Sequence, residues 1–213
     1  MNSKVKKTLL SKKYQAQLLE DIKKHHTVYN TPIDGIYFEE LVNNAFLKFD
    51  VETGWDPLNK SHQQGVDVAG LSLKTTRLKS GKFSITSFRT TSYESLDDKA
   101  EYIKKINETI DGYLVCVKSF STKTRVIDYL VYYFEHGIEF MDLDSYSWRG
   151  NYSKSIETDG KLTGFIGDHP TKSVKATITF SMSHQLIFKD ISLKDLEKDK
   201  LAHLICKHSH SLG

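Results

Sequence analysis

The feature that most constrains the fold is a change in the spacing of apolar residues about 60 residues into the chain. Before it, apolar side chains recur at helical spacing over 4–26 and again over 34–49. From 64 to 92 they alternate with polar ones, the pattern of a strand with one buried face. This order in a chain of 213 residues predicts an α/β fold, a single domain over 1–213 with a mixed central β-sheet flanked by helices.

The other elements are predicted from the same two patterns. They are strands at 112–117, 126–134 and 174–180, helices at 94–109 and 193–205, and loops with a short hairpin over 145–175. The strand at 126–134 is apolar enough for the centre of a sheet. The polar His-Ser tail after the last helix is of a kind that is often disordered.

Composition restricts the compartment more than the function. Two cysteines are too few for a disulfide framework, and no apolar run approaches the roughly 20 residues that cross a bilayer. We therefore expect a cytoplasmic protein without a membrane partner. A net charge of +3 permits a nucleic-acid partner without requiring one. The chain has neither a Gly-rich phosphate loop nor a G-x-S-x-G motif, which argues against nucleotide hydrolases and serine esterases.

The segment 65–74 carries the most informative pattern of polar residues. If the chain reverses at Ala69-Gly70, Asp67 lies opposite Ser72, whether the loop has two residues or four. Lys74 then becomes the diagonal neighbour of Asp67 on the same face, within reach of a long side chain. The apolar alternation thus buries one face and brings these three polar side chains together on the other.

A carboxylate beside a lysine on a rigid strand pair suits metal-assisted cleavage of a phosphodiester. The carboxylate can hold a hard divalent cation, which polarises the phosphate and lowers the pKa of a bound water. The lysine can orient or deprotonate that water and offset developing negative charge. The alternative is a cross-strand ion pair between Asp67 and Lys74 with no chemistry, which the spacing alone does not exclude.

Two glutamates open the second predicted helix. Glu39 shares a helical row with Val42 and Phe46, so it lies at the edge of the buried stripe and could point into a cleft over the sheet. It could equally be a solvated side chain near a helix N-terminus. Glu40 lies further round the helix, so we expect its side chain to be exposed to solvent.

At this point the sequence resembles a known family. The segments that carry the resemblance are Gly35-x-x-Phe38-Glu39-x-Leu41-Val42, Gly65-Val66-Asp67-Val68 and Ser72-Leu73-Lys74. They look like the active-site core of the PD-(D/E)xK nuclease superfamily, and within it they are most similar to type II restriction endonucleases. The resemblance covers roughly residues 30 to 117.

The resemblance implies a mixed sheet with helices on both sides, Mg²⁺ at the site and hydrolysis to a 5′-phosphate and a 3′-hydroxyl. Asp67 matches the family's first metal-binding aspartate and Lys74 its catalytic lysine. The main-chain carbonyl of Leu73 would be a metal ligand, and Glu39 would be the helix carboxylate that also reaches the metal.

One position departs from the family pattern. The second acidic residue, two before the lysine, is Ser72 here, so one negative charge is missing. Glu39 is the first candidate to replace it and Glu94 on the third predicted helix the second, with Glu40 as a further alternative. If none of them reaches the cleft, the site is degenerate.

The resemblance therefore predicts a type II site-specific deoxyribonuclease that acts on double-stranded DNA in a restriction-modification system. A cognate DNA methyltransferase is expected in that system, though not as a bound partner. One site per chain and two strands per duplex favour a homodimer. The alternatives are another nuclease of the superfamily, in repair, junction resolution or modification-dependent cleavage, or a catalytically dead DNA-binding module.

Two further groups of side chains could contact DNA. Basic residues on the strands that follow the hairpin could bind phosphates, although an edge strand protected by charge has the same composition. A polar group near 184 could read base edges, although an exposed strand end explains it as well. The residues are Arg77, Lys79, Lys82 and Arg89 in the first group, and Ser183, His184 and Gln185 in the second.

Overall fold

The computed structural model describes residues 3–58, 66–89, 108–136, 144, 146–151, 161–165, 175–179 and 185–212. These residues form four helices and nine strands that have defined bounds. The helices are α1 (Ser3–Leu9), α2 (Lys12–Val28), α3 (Gly35–Leu47) and α4 (Leu193–Asp199). The strands are β1 (Leu71–Arg77), β2 (Lys82–Arg89), β3 (Gly112–Ser121), β4 (Val126–Glu135), β5 (Ser147–Asn151), β6 (Lys161–Phe165), β7 (Lys175–Thr179), β8 (Gln185–Ser192) and β9 (His203–Ser211).

A four-stranded mixed sheet forms the centre of the molecule, in the order β1-β3-β4-β9. β1 runs parallel to β3, with Leu71 beside Gly112, and the other two pairings are antiparallel. β3 and β4 occupy the middle and are buried over most of their length. The predicted mixed α/β fold, with a central mixed sheet flanked by helices, is thereby confirmed.

Helices α1, α2 and α3 cover one face of this sheet. Their apolar stripes follow the helical period, so each helix turns one row of side chains toward the strands. The buried residues of this core include Leu9, Tyr14, Leu18, Ile22, Phe38 and Phe46 from the helices and Leu71, Leu73, Leu114, Cys116, Val131 and Ile205 from the strands. The apolar stripes of the N-terminal helices are thus buried within the chain itself.

The opposite face packs against a second, antiparallel sheet in the order β2-β8-β7-β6-β5. Phe83 and Phe188 from this sheet lie in one core with Val115 and Phe134 from the central sheet, and Leu196 of α4 joins them. The resemblance implied helices on both sides of the sheet. In the described part of the chain, α4 is the helix on this side, and strands supply the rest of the cover.

The first predicted helix is divided in two. α1 ends at Leu9 and α2 begins at Lys12, because Ser11 between them adopts an extended backbone and caps α2. The Ser11 hydroxyl accepts a hydrogen bond from the amide of Tyr14 at 3.2 Å. The second predicted helix agrees with α3 to within two residues at each end.

The C-terminal prediction was partly wrong. The last helix ends at Asp199, because Lys200 adopts a left-handed backbone with φ 52°, and the expected polar tail is the strand β9. Ile205 and Cys206 of β9 are buried, and the ring of His210 stacks on His26 of α2 at 4.0 Å. These contacts hold a segment whose polar composition alone predicted disorder.

Two other predictions fall partly outside the described residues. Of the helix expected at 94–109, only residues 108–109 are described, and they are helical. The hairpin expected within 145–175 is represented by the antiparallel pair β5 and β6. Among the described helices, none is both long and apolar enough to cross a membrane.

Candidate active site

A two-residue turn precedes β1 and organises the site. Val68 and Leu71 exchange main-chain hydrogen bonds of 2.9 and 3.2 Å across it. Both turn residues adopt positive φ, 53° at Ala69 and 85° at Gly70, which is typical of a type I′ turn. The chain reversal predicted at these two residues is confirmed.

One carboxylate oxygen of Asp67 contacts three polar groups of β1. Asp67 Oδ2 accepts a hydrogen bond from the amide of Leu73 at 2.6 Å and forms an ion pair with Lys74 Nζ at 3.0 Å. The Ser72 hydroxyl lies 3.5 Å from the same oxygen. The Asp67 side chain is 4% exposed and that of Lys74 22%, so the pair is largely withdrawn from solvent. The predicted grouping of Asp67, Ser72 and Lys74 is therefore present in the structure.

The pairing before the turn is shorter than the predicted hairpin. We call residues 66–68, which precede the turn, the arm. In the described residues, the arm contributes only an isolated bridge between Val68 and Leu71, and Val66 is not paired with Leu73 in a strand. The physical reason lies in the Asp67 side chain, whose carboxylate takes the Leu73 amide that a continued ladder would use. The arm thus approaches β1 through a side chain in place of its backbone.

The Lys74 ammonium bridges the two oxygen atoms that would be metal ligands. Besides Asp67 Oδ2, it donates to the main-chain carbonyl of Leu73 at 2.9 Å. A carboxylate and a carbonyl therefore converge on one positive charge, with the ammonium standing where a cation could bind. Mg²⁺ is commonly held by one or two carboxylates together with waters and substrate phosphates. The donor set at this position fits that ion.

Ser72 and Lys74 lie on the face of the central sheet that packs against the second sheet. They are the register partners of Tyr113 and Val115, whereas Leu71 and Leu73 face the helices. Ser72 is fully buried. Its hydroxyl contributes no negative charge, so Asp67 is the carboxylate that this strand pair supplies.

Glu39 belongs to the helical layer on the other face. It is half-buried and accepts a hydrogen bond from the indole of Trp55 at 3.4 Å. One turn later on α3, Asn43 accepts a hydrogen bond from the Thr53 hydroxyl, and the Thr53 carbonyl accepts one from Ala69 at the turn. Glu39 is thus tied, through the loop after α3, to the turn that carries Asp67.

Glu40 points away from this loop. It is exposed and lines a groove between α2 and α3 together with His25 and Lys48. Its position agrees with a solvated side chain. Glu94, the other candidate for the missing charge, lies outside the described residues.

Neither a family model, nor a curated protein, nor a solved structure matches this chain. The geometry of the site therefore carries the functional argument. Across the described ranges, no group of three or more His, Cys, Asp or Glu side chains is arranged to hold a metal ion. The Lys74 ammonium contacts a smaller set of donors, one carboxylate and one main-chain carbonyl.

Asp111 is an acidic neighbour of the turn that the sequence reasoning missed. Its amide donates to the carbonyl of Gly70 at 3.0 Å, and a Cβ placed on Gly70 would lie 2.5 Å from its Oδ2. Asp111 directly precedes β3, which runs parallel to β1 with Gly112 beside Leu71. Residues that precede parallel neighbours meet at one sheet edge, so that pairing would have indicated Asp111 in advance.

The basic side chains expected to contact DNA are only partly described. Arg77, Lys79 and Lys82 are exposed around the β1–β2 turn, where they line a cavity of about 550 Å³ together with Asp190. The backbones of Arg89 and Gln185 pair across β2 and β8. The side chains of these two residues, and the whole of Ser183 and His184, lie outside the described part of the structure.

Proposed function

We propose that the protein is a Mg²⁺-dependent endodeoxyribonuclease that cuts double-stranded DNA at a specific sequence and leaves 5′-phosphate ends. The observation that carries the proposal is the convergence of Asp67 Oδ2 and the Leu73 carbonyl on the Lys74 ammonium. The site, not the fold, supports this activity, because one fold can host many functions. The proposed setting is a cytoplasmic restriction-modification system that includes a cognate DNA methyltransferase, which is not a bound partner of this chain.

Each residue of the site has a distinct task in this proposal. Asp67 and the Leu73 carbonyl would hold the ion, and the Leu73 amide fixes the carboxylate through its 2.6 Å hydrogen bond. The bound ion supplies positive charge to the phosphate and a lower pKa to a water. Lys74 orients the attacking water and offsets the charge that develops on the phosphate. Glu39 is the proposed source of the second carboxylate.

The charge distribution along β1 favours DNA as the substrate. Beyond Lys74 the strand leads to Arg77, Lys79 and Lys82, all exposed. Side chains of this kind position a duplex through its phosphates. A phosphate backbone at the β1–β2 turn would lie roughly 10 Å along β1 from Lys74, with Arg77 on the opposite face of the sheet from that lysine.

A second candidate is a DNA-binding module that does not cleave. Two observations favour it: Ser72 adds no charge, and the Lys74 ammonium already neutralises the Asp67 carboxylate at 3.0 Å. Such a module would bind DNA through the same basic side chains. It would give no product with or without metal.

Cleavage of a supercoiled plasmid in Mg²⁺ or in EDTA separates the two candidates. We expect cleavage only with Mg²⁺, and Asp67→Ala or Lys74→Ala should lower its rate by at least about 100-fold. A matched control is the ion pair between Asp21 of α2 and Lys48, the C-cap of α3, which has the same chemistry and a 2.9 Å separation. Asp21→Ala and Lys48→Ala should leave the cleavage rate within about twofold.

The products decide between kinds of nuclease. Discrete bands indicate a site-specific enzyme, whereas a smear indicates a nuclease of the same superfamily without that specificity. Undiminished cleavage by either site variant at saturating Mg²⁺ would overturn the assignment. DNA binding without any cleavage by the wild-type chain would favour the non-cleaving module.

A further inference from the structure

A cavity of about 400 Å³ opens at the far end of β1 from the Asp67 turn. β1 rises about 3.3 Å per residue, so Arg77 at the cavity lies roughly 10 Å along the strand from Lys74. In the register of β1 and β3, Arg77 lies beside Lys118, and its side chain is on the same face of the sheet as Leu73, the face that the helices cover. The cavity is therefore separate from the face that carries Lys74.

The floor of this cavity is apolar. We use floor for the apolar residues that line the cavity, Pro32, Leu78, Phe120 and Ile127, and rim for the charged ones. Phe120 is 54% exposed, although its register partner Ile127 is buried. An exposed aromatic face beside an apolar floor is a surface on which a flat ring can stack.

The rim of the cavity is cationic. Lys118 is buried and donates to the Ile33 carbonyl at 2.7 Å and to Asp34 Oδ1 at 2.6 Å. Among the described residues that line the cavity, Asp34 is the one carboxylate, and Lys118 pairs with it. The excess positive charge of the rim therefore belongs to Arg77 and Lys79, which are both exposed.

We propose that this cavity binds an unpaired nucleotide, with the base on Phe120 and the phosphate between Arg77 and Lys79. A duplex backbone alone would use the cations but not the apolar floor, and an apolar peptide would use the floor but not the cations. A nucleotide uses both, and the volume falls within the roughly 300 to 1,000 Å³ of ligand pockets. The nucleotide comes either from a DNA strand or from free solution, and the DNA source rests on the proposed function.

The test is DNA binding in EDTA, where no cleavage can occur. Two labelled duplexes of the same sequence, one fully paired and one with a single unpaired nucleotide, are titrated and followed by fluorescence anisotropy. Base stacking on an aromatic side chain contributes about 1–3 kcal/mol, so the wild type should prefer the second duplex by about 5- to 150-fold. Phe120→Ala should abolish this preference, and Phe120→Tyr should keep it.

Two controls separate stacking from charge. Leu204→Ala removes another exposed apolar side chain, from β9, and should leave the preference unchanged. Arg77→Ala and Lys79→Ala should each weaken binding of both duplexes and reduce the slope of log K against log salt by about 0.9. Equal binding of the two duplexes by the wild type, or a preference retained in Phe120→Ala, would refute the proposal.

Free dAMP distinguishes the two sources of the nucleotide, and Asp67→Ala separates binding at the cavity from cleavage. Quenching of the added fluorescence of Phe120→Trp by dAMP alone identifies a site for free nucleotides, whereas quenching by the unpaired duplex alone identifies a strand site. Both outcomes support the cavity, and quenching by neither contradicts it. Asp67→Ala should keep the preference, because stacking needs no cleavage. A preference for the unpaired duplex in a chain that never cleaves would reject the nuclease proposal alone.

Discussion

The Asp67–Lys74 pair is exposed to solvent over only a small part of its surface, which affects how its variants behave. Removing one member of a largely buried pair leaves the other charge without compensation. Lys74→Ala is therefore expected to lower stability as well as activity. Asp67→Asn is the gentler change, because its amide oxygen can still accept the hydrogen bond from Leu73. Thermal unfolding of each variant separates lost chemistry from lost structure.

Glu39→Gln tests whether this residue supplies the charge that Ser72 lacks. The amide oxygen can still accept the hydrogen bond from Trp55, so the change removes charge and leaves the contact. Plasmid cleavage should slow by at least about 100-fold, the order expected when a ligand or its direct support is lost. Glu40→Gln, on the exposed side of α3, should be nearly silent.

The pattern of results assigns the residue. A slow Glu40→Gln beside a normal Glu39→Gln would move the role to Glu40. Two normal variants would instead direct attention to Glu94.

At the scale of single elements, the turn before β1 makes a close approach to Asp111. Gly70→Ala would place a Cβ 2.5 Å from Asp111 Oδ2 and also force a side chain into a backbone of φ 85°. Gly81→Ala is the matched control, because Gly81 has φ 73° with nothing within 4 Å of the added carbon. Urea unfolding should show a loss of about 1 kcal/mol for Gly81→Ala and a larger one for Gly70→Ala.

A second variant identifies the cause of the difference. Asp111→Ala combined with Gly70→Ala should bring the excess loss back toward that of Gly81→Ala, because the atoms that collide are gone. Equal losses of unfolding free energy for the two glycine variants would show that the Asp111 side chain moves aside without lowering stability.

The contact between α2 and β9 makes stability depend on pH. His26 Nε2 lies 2.9 Å from the Tyr129 hydroxyl, its Nδ1 lies 3.1 Å from the Tyr29 carbonyl, and its ring stacks on His210. Burial lowers the pKa of His26 from 6.5 to about 4, and it also lowers the pKa of His25 and His208. The unfolded chain therefore binds more protons than the folded one between these values.

Stability should accordingly change little between pH 8 and 6.5 and fall as the pH decreases toward 4. Thermal unfolding measured at intervals from pH 8 to 4 checks this. His26→Gln should melt lower at pH 8, where it loses packing, but it should show a shallower decline toward acid. Parallel declines in the two proteins would exclude His26 as a cause.

Local patterns predicted the elements that depend on neighbours in sequence. The turn at Ala69-Gly70 and the grouping of Asp67 with Lys74 followed from alternation and turn chemistry over ten residues. α3 was predicted because its apolar residues keep one helical period. The break at Ser11 was missed, because the apolar stripe continues across it while the capping serine ends the helix. β9 was missed because its order comes from pairing with β4 and from contacts with α2, which are both distant in sequence.

At the scale of the whole molecule, the arrangement of layers was less predictable than the elements. The alternation from 64 to 92 gave no sign that β1 and β2 belong to different sheets. β1 pairs with β3, about 40 residues later, and β2 pairs with β8, about 100 residues later. Such pairings depend on burial between distant segments, which no local period records. Asp111 was missed for the same reason.

We expect the working species to be a homodimer on DNA. Each chain supplies one Asp67–Lys74 pair, whereas a double-strand break requires two cuts. The apolar stripes of α1 and α2 pack within the chain, so they do not form the interface. Among the described residues, one group of exposed apolar side chains lies where α2 ends and α3 begins, at Val28, Tyr29, Ile36 and Tyr37. Tyr and aliphatic groups of this kind are typical of interface cores.

Light scattering of the wild-type complex with duplex DNA in EDTA should give two chains of 24.4 kDa per duplex. Tyr37→Glu or Val28→Glu should reduce this to one chain. Leu58→Glu, at the most exposed large apolar side chain among those described, should not change it. One wild-type chain per duplex, nicking the two strands in separable steps, would rule out the dimer.

The hydrogen bond from Leu73 to Asp67 has a consequence for solubility. β1 is an outer strand of the central sheet, and within the described ranges its free side faces a short arm, residues 66–68, through a single bridge. An outer strand with unused amides can recruit a strand from another molecule and start aggregation. The Asp67 carboxylate accepts the hydrogen bond of one of those amides, that of Leu73, and places a charge beside the strand. Asp67, which the proposed chemistry needs most, therefore also protects the edge of the sheet from pairing with another molecule. Asp67→Ala should aggregate faster than Lys74→Ala at equal concentration.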